Sequence, residues 1–119
     1  MARTTLTRTT PLGPYPTLPP AVNTLDAVMT AADTVNFNQF IFDGPVVLVV
    51  QNIGVSAHTF TLTSAVDAQN RSGDITAYSI GADEVCVFML NQTAGWRQTD
   101  GFFYLAGDHA EVKFGIVRL

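Results

Sequence analysis

The side chains able to do acid–base chemistry gather in two stretches. Ser56 precedes His58 by two positions, and His109 sits between Asp108 and Glu111. A hydroxyl, an imidazole and a carboxylate are the parts of a nucleophilic hydrolase, in which the base takes the hydroxyl proton and a third group orients the base. No nucleophile elbow, phosphate-binding loop or paired-histidine metal motif surrounds these residues. The ten acids fall mainly at turn signals, where aspartate serves the backbone, so they do not suggest a paired-carboxylate glycosidase site. Cys86 is the one cysteine, which excludes an intrachain disulfide and a thiolate zinc site. Set within Val85-Cys86-Val87-Phe88-Met89-Leu90, it reads as an inert buried thiol. The expectation is a protein with no catalytic residues, no metal and no cofactor, in which both histidines are structural or surface residues.

Composition points the same way. At 119 residues the chain suits one domain, 47% hydrophobic and only 13% charged, against about 25% charged in an average soluble domain. Such a surface is expected to be covered in part by partners. A net charge of −4 argues against a general nucleic-acid binder, which needs clustered Lys and Arg. No apolar run approaches the roughly 20 residues of a membrane-spanning helix.

The elements that must position these side chains come in two parts. Residues 1–20 hold five of the six prolines, together with Arg3 and Arg8 and no acid. Proline fixes φ and removes a donor, so this stretch is expected to be an extended arm outside any sheet. Leu6, Leu12, Tyr15 and Leu18 are spaced along it as anchors for a partner, with Arg3 and Arg8 as weaker charged contacts.

Residues 21–119 break into short β-rich runs separated by turn chemistry, which predicts a single antiparallel β-sandwich, jelly-roll-like or immunoglobulin-like, of seven to eight strands. Leu25–Thr30 suits one helical turn or a strand. Val35–Phe42 ends at Asp43-Gly44-Pro45, and Val46–Val50 reads as a central strand covered on both faces. His58–Thr63 alternates cleanly, with Phe60 and Leu62 inward. Asp67–Gly73 is a loop, in which Arg71 could pair with Asp74. Asp74–Ile80, Glu84–Leu90, Trp96–Thr99, Phe102–Leu105 and Glu111–Leu119 follow as strands. Phe60, Leu62, Val85, Val87, Phe114 and Ile116 are the expected core. Trp96 is a core aromatic or an interface anchor.

From about Leu25 onward the chain resembles a family of small proteins encoded in tailed-phage and prophage genomes among the head genes. The resemblance rests on Thr30-Ala31-Ala32-Asp33, Val47-Leu48-Val49-Val50-Gln51-Asn52, His58-Thr59-Phe60-Thr61-Leu62, Arg71–Ile80, Gly95–Gly101 and Val112-Lys113-Phe114, in that order. It departs from the family at Val35-Asn36-Phe37-Asn38, where the family usually has Asn-Gly, so that corner is expected to be built differently.

The resemblance implies a structural virion protein of the capsid surface, assembled in the host cytoplasm. Such a protein decorates and cements the head by binding the major capsid protein, as a homo-oligomer with a trimer favoured, without nucleic acid or membrane. The alternative is a tail- or fibre-associated module that binds a surface glycan through exposed aromatics such as Trp96 and Tyr78.

Overall fold

The computed structural model describes residues 2–11, 26–66 and 73–119. Leu12, Tyr15, Leu18 and Arg71 lie outside them. Among the described residues there are ten strands and no helix: β1 (Thr4–Thr5), β2 (Arg8–Thr9), β3 (Met29–Ala31), β4 (Asn38–Ile41), β5 (Val46–Asn52), β6 (His58–Thr63), β7 (Ile75–Ile80), β8 (Val85–Leu90), β9 (Phe102–Gly107) and β10 (Val112–Arg118). They form two sheets packed as a β-sandwich. The first runs β1-β4-β9-β6-β7. The second runs β2-β10-β5-β8, with β3 also paired to β10.

Strand phase decides the core. In β6 the threonines mark the outer phase, so Phe60 and Leu62 are buried. In β10, Val112, Phe114 and Ile116 are fully buried. β5 also alternates, with Val46, Leu48 and Val50 inward and Val47 and Val49 half-exposed; it is central, but one face is open rather than covered. β8 takes the phase opposite to expectation. Cys86, Phe88 and Leu90 pack on the core, while Val85 and Val87 point outward. Every position of β8 is apolar, so alternation carries no phase. Register settles it, since Cys86, Phe88 and Leu90 oppose the inward Val50, Leu48 and Val46 of β5.

The densest part of the core is aromatic. Phe103 on β9 stacks on Phe40 at 5.0 Å and meets Phe42 edge-on at 5.6 Å. Trp96 stacks on the same ring at 5.6 Å. The stretch around Trp96 is a turn rather than a strand, closed by Trp96 N–H to Thr93 O and Arg97 N–H to Thr93 O.

The largest departure from expectation is at the N-terminus. Thr4–Thr5 pairs parallel with β4, and Arg8–Thr9 pairs parallel with β10, so the chain crosses from one sheet to the other. Between the two pairings Leu6 inserts into the core at 4% exposure, and its amide donates to Gln39 O at 2.7 Å. This strap closes one edge of the sandwich. Among the described residues nothing pairs with the other edge, β7 and β8. The prolines begin only at Pro11, which leaves Thr4–Thr9 free to donate to ladders.

Asp33 fastens the strap to the β3–β4 corner. Its Oδ1 accepts from the amides of Val35 and Asn36 at 3.0 Å, and its Oδ2 accepts from the Thr4 hydroxyl. The following Phe37 adopts φ 63°, the left-handed region that glycine occupies most readily. These hydrogen bonds, those from Asn36, Thr4 and Val35 in turn, hold the Asp33 carboxyl down at about 2. A depressed carboxylate contributes stability above its unfolded value and loses it as pH falls through the folded one. Acid unfolding of the wild type should therefore have a component between the usual aspartate range and about 2. Asp33→Asn should remove that component, as followed by circular dichroism against pH. An unchanged acid limb would show that Asp33 does not hold the corner.

Candidate functional site

The two outer faces of the sandwich differ in chemistry. On the β1-β4-β9-β6-β7 sheet, Thr59, Thr61 and Thr63 of β6 face outward beside Tyr104 and Ala106 of β9. The Arg3 guanidinium lies 4.3 Å above the Tyr104 ring and 5.5 Å from Phe37. It donates to Asn38 O at 3.0 Å and Leu105 O at 3.2 Å. Tyr104 in turn donates its hydroxyl to Asp100. This face is hydroxyl-rich and its charges are partnered.

The opposite face is aliphatic. Cross-strand register lays out two rows along it: Met29, Gly115, Val49 and Val87, then Thr9, Val117, Val47 and Met89. A third row of Ala31, Lys113, Gln51 and Val85 carries the only charged side chain of the three rows, Lys113. At the open edge, Val85, Val87 and Met89 are 53%, 65% and 63% exposed. Met29 lies over Gly115 so closely that a Cβ there would collide with its sulfur. The result is an apolar surface running from β3 to β8, whose outer backbone edge is unpaired among the described residues, with no lysine or proline on that strand to discourage pairing.

At one end of the sandwich the loops after β5, β7 and β9 converge. Buried Asn52 ties two of them together, donating to Ser56 O at 2.8 Å and Ile80 O at 3.1 Å and accepting from Gly54 N–H at 2.9 Å. His58 opens β6 here. Its ring stacks on His109 at 4.5 Å, its Nε2 is 2.9 Å from Glu111 Oε1, and its Nδ1 is 3.6 Å from Asp108 Oδ1. The two histidines, far apart in sequence, thus share one cluster. Ser56, the candidate nucleophile, is exposed and enters the network through its backbone carbonyl.

The residues expected to grip a partner are placed as follows. Leu6 is in the core and so unavailable as an external anchor. Arg3 is held on Tyr104, and Arg8 pairs with Asp43 at 2.6 Å. That bond to Arg8 lowers the Asp43 carboxyl. Trp96 packs on Phe103, which leaves Tyr78, 47% exposed, as the exposed member of the two aromatics considered for glycan binding. Arg71 lies outside the described residues, and Asp74 Oδ1 accepts from the Ser64 amide and hydroxyl. Burial first, then the charge of Glu84, push the Cys86 thiol up, against a hydrogen bond from Tyr78. A raised thiol is a poor nucleophile.

Fold and surface together define a β-sandwich with one aliphatic outer face and a histidine–carboxylate cluster at its loop end. Comparison with family models, with curated proteins and with solved structures finds no match to this chain.

Proposed function

We propose that this chain is a non-enzymatic structural protein of a tailed-phage virion, one that decorates and cements the head by seating the aliphatic β3-β10-β5-β8 face on a junction between major capsid subunits. The observation that supports this most is the exposed row of Val85, Val87 and Met89 on an unpaired edge strand, continuous with Val47 and Val49. Burying such a face stabilises a complex at about 25 cal/mol per Å² of apolar surface. The free β8 edge adds backbone donors and acceptors to the contact. A protein that binds only the assembled shell stabilises that shell by mass action. Leu12, Tyr15 and Leu18, outside the described residues, remain the proposed anchors of the arm. A cyclic homo-oligomer, with a trimer favoured, is the arrangement that covers a symmetry axis.

The test is Val87→Asp. The side chain is exposed, so the fold should survive with a loss of about 1 kcal/mol, the span of strand propensity from valine to aspartate. A charge buried without a partner should weaken docking by at least about tenfold. Wild type and variant are co-sedimented with tailed-phage heads that lack this protein. Loss of the variant with retention of the wild type is the expected result, and equal retention removes this face from the contact. Failure of the wild type to bind any head favours glycan recognition, for which the hydroxyl-rich groove of Thr59, Thr61 and Thr63 beside Arg3 is one surface on offer and Tyr78, at the β7 edge against Phe60, is another.

A further inference from the structure

We propose that His58, His109 and Glu111 form a binding site for a divalent transition-metal ion of the zinc class, with Asp108 orienting His58. One donor atom from each of the three residues can be chosen so that all lie within 4.8 Å of one another. Glu111 Oε1 is 2.9 Å from His58 Nε2 and 3.6 Å from His109 Nδ1. Ligand atoms about 2.0–2.2 Å from a tetrahedral zinc lie about 3.3 Å apart. The Glu111–His58 edge is shorter than that value and the Glu111–His109 edge longer, and the two rings stack in parallel, so binding needs His109 to leave the stack. Two imidazoles and one carboxylate suit zinc-class ions and not calcium or magnesium, which take oxygen donors.

The backbone around these side chains is fixed by bonds that need no ion. Asp108 N–H donates to Thr59 O at 3.0 Å, which holds the β9–β10 connection against β6. Ile53 N–H donates to Glu111 O at 3.1 Å. The Glu111 carboxylate packs against Gly54, where an added Cβ would collide with it. Asn52 Oδ1 in turn holds the Gly54 amide at 2.9 Å.

Binding asks for two local adjustments. His58 must present an unprotonated Nε2, which puts its proton on Nδ1, facing Asp108 Oδ1 at 3.6 Å. A carboxylate behind a metal-ligating histidine is the usual way that tautomer is held. His109 Nδ1 now accepts from Glu111 N–H at 3.0 Å. Its ring is 53% exposed, so it can turn out of the stack and release that amide to water. Three protein ligands leave a fourth position open to solvent or to a partner's side chain. The ion would join β6 of one sheet to the entrance of β10 in the other.

The experiment uses tag-free full-length protein titrated at pH 7.5 with Co²⁺ and then Zn²⁺. The expected result is one Co²⁺ per chain with the visible absorption of a low-coordinate nitrogen–oxygen site, displaced by Zn²⁺. Zn²⁺ at about a hundredfold above its Kd should raise Tm by about 10 °C. His109→Ala changes an exposed loop residue and should leave the fold intact while weakening binding at least about tenfold. His58→Ala combined with Glu111→Gln should abolish it. No cobalt spectrum and no Tm shift in the wild type would overturn the proposal. So would binding unchanged in His109→Ala, or sulfur-to-cobalt charge transfer, which would assign the ion to Cys86.

Discussion

Replacing Leu6 with alanine should lower the stability of the protein by about 2–5 kcal/mol, the cost of emptying a buried leucine site. Leu6 is 4% exposed and belongs to the same cluster as Phe40, Phe42 and Phe103. Backbone hydrogen bonds on either side hold it there, from Thr4 N–H to Phe37 O at 2.9 Å and from Leu6 N–H to Gln39 O at 2.7 Å. Removing residues 1–10 should cost more than the point change, because it also deletes both parallel pairings, the Arg8–Asp43 ion pair and the Thr4–Asp33 hydrogen bond. It would uncover the outer edges of β4 and of part of β10 as well. A denaturant titration reads the Leu6→Ala change as a fall in midpoint at unchanged slope. An unchanged midpoint in Leu6→Ala would mean that the strap is not seated on the core in solution. The sequence expectation was an arm outside any sheet; the structure puts Thr4–Thr5 and Arg8–Thr9 in the ladders and Leu6 in the core.

Phe103→Ala should cost about 3–5 kcal/mol, enough to unfold a marginal domain. Phe103 is fully buried and touches three other aromatic rings, Phe40, Phe42 and Trp96. The substitution therefore leaves a cavity and removes three ring contacts, each worth about 0.5–1.5 kcal/mol beyond area burial. The protein contains one tryptophan, so the effect carries its own reporter. Trp96 emission should shift toward that of a hydrated indole even where the variant stays folded. Phe103→Leu keeps most of the volume and should cost clearly less. Equal losses for the two variants would show that ring packing, rather than volume, is what matters at this site.

What could be read from the sequence followed the contrast between neighbouring residues. β6 was legible because threonine and large apolar residues alternate without exception from Thr59 to Thr63. β8 was not, because six apolar residues in a row leave the phase to the partner strand. Trp96 resembled a strand start, whereas the bonds of its amide and the next to Thr93 O make it part of a turn. The strap was hidden by its neighbours. Thr4, Thr5, Thr7 and Thr9 around Leu6 have good β-propensity, but the prolines from Pro11 onward coloured the whole stretch as an arm. The histidine cluster could not be assembled in advance, since His58 and His109 meet only because β6 pairs with β9. The run Asp108-His109-Ala110-Glu111 was the one local signal, and it lacked its partner.

The strap also bears on how the fold is reached. Arg8 rests beside Ile116, and Thr4 beside Asn38, so the first residues of the chain are held by strands made much later. Contacts between positions so far apart in sequence are slow to form, because loop-closure entropy is spent before they stabilise anything. Until β10 arrives, the segment around Leu6 has half of its final site, and afterwards β10 keeps an uncovered margin until that segment docks. During that interval a neighbouring molecule's first ten residues fit the vacancy as well as the chain's own. Crowded refolding therefore favours exchange of this segment between copies, and dilution favours the closed monomer.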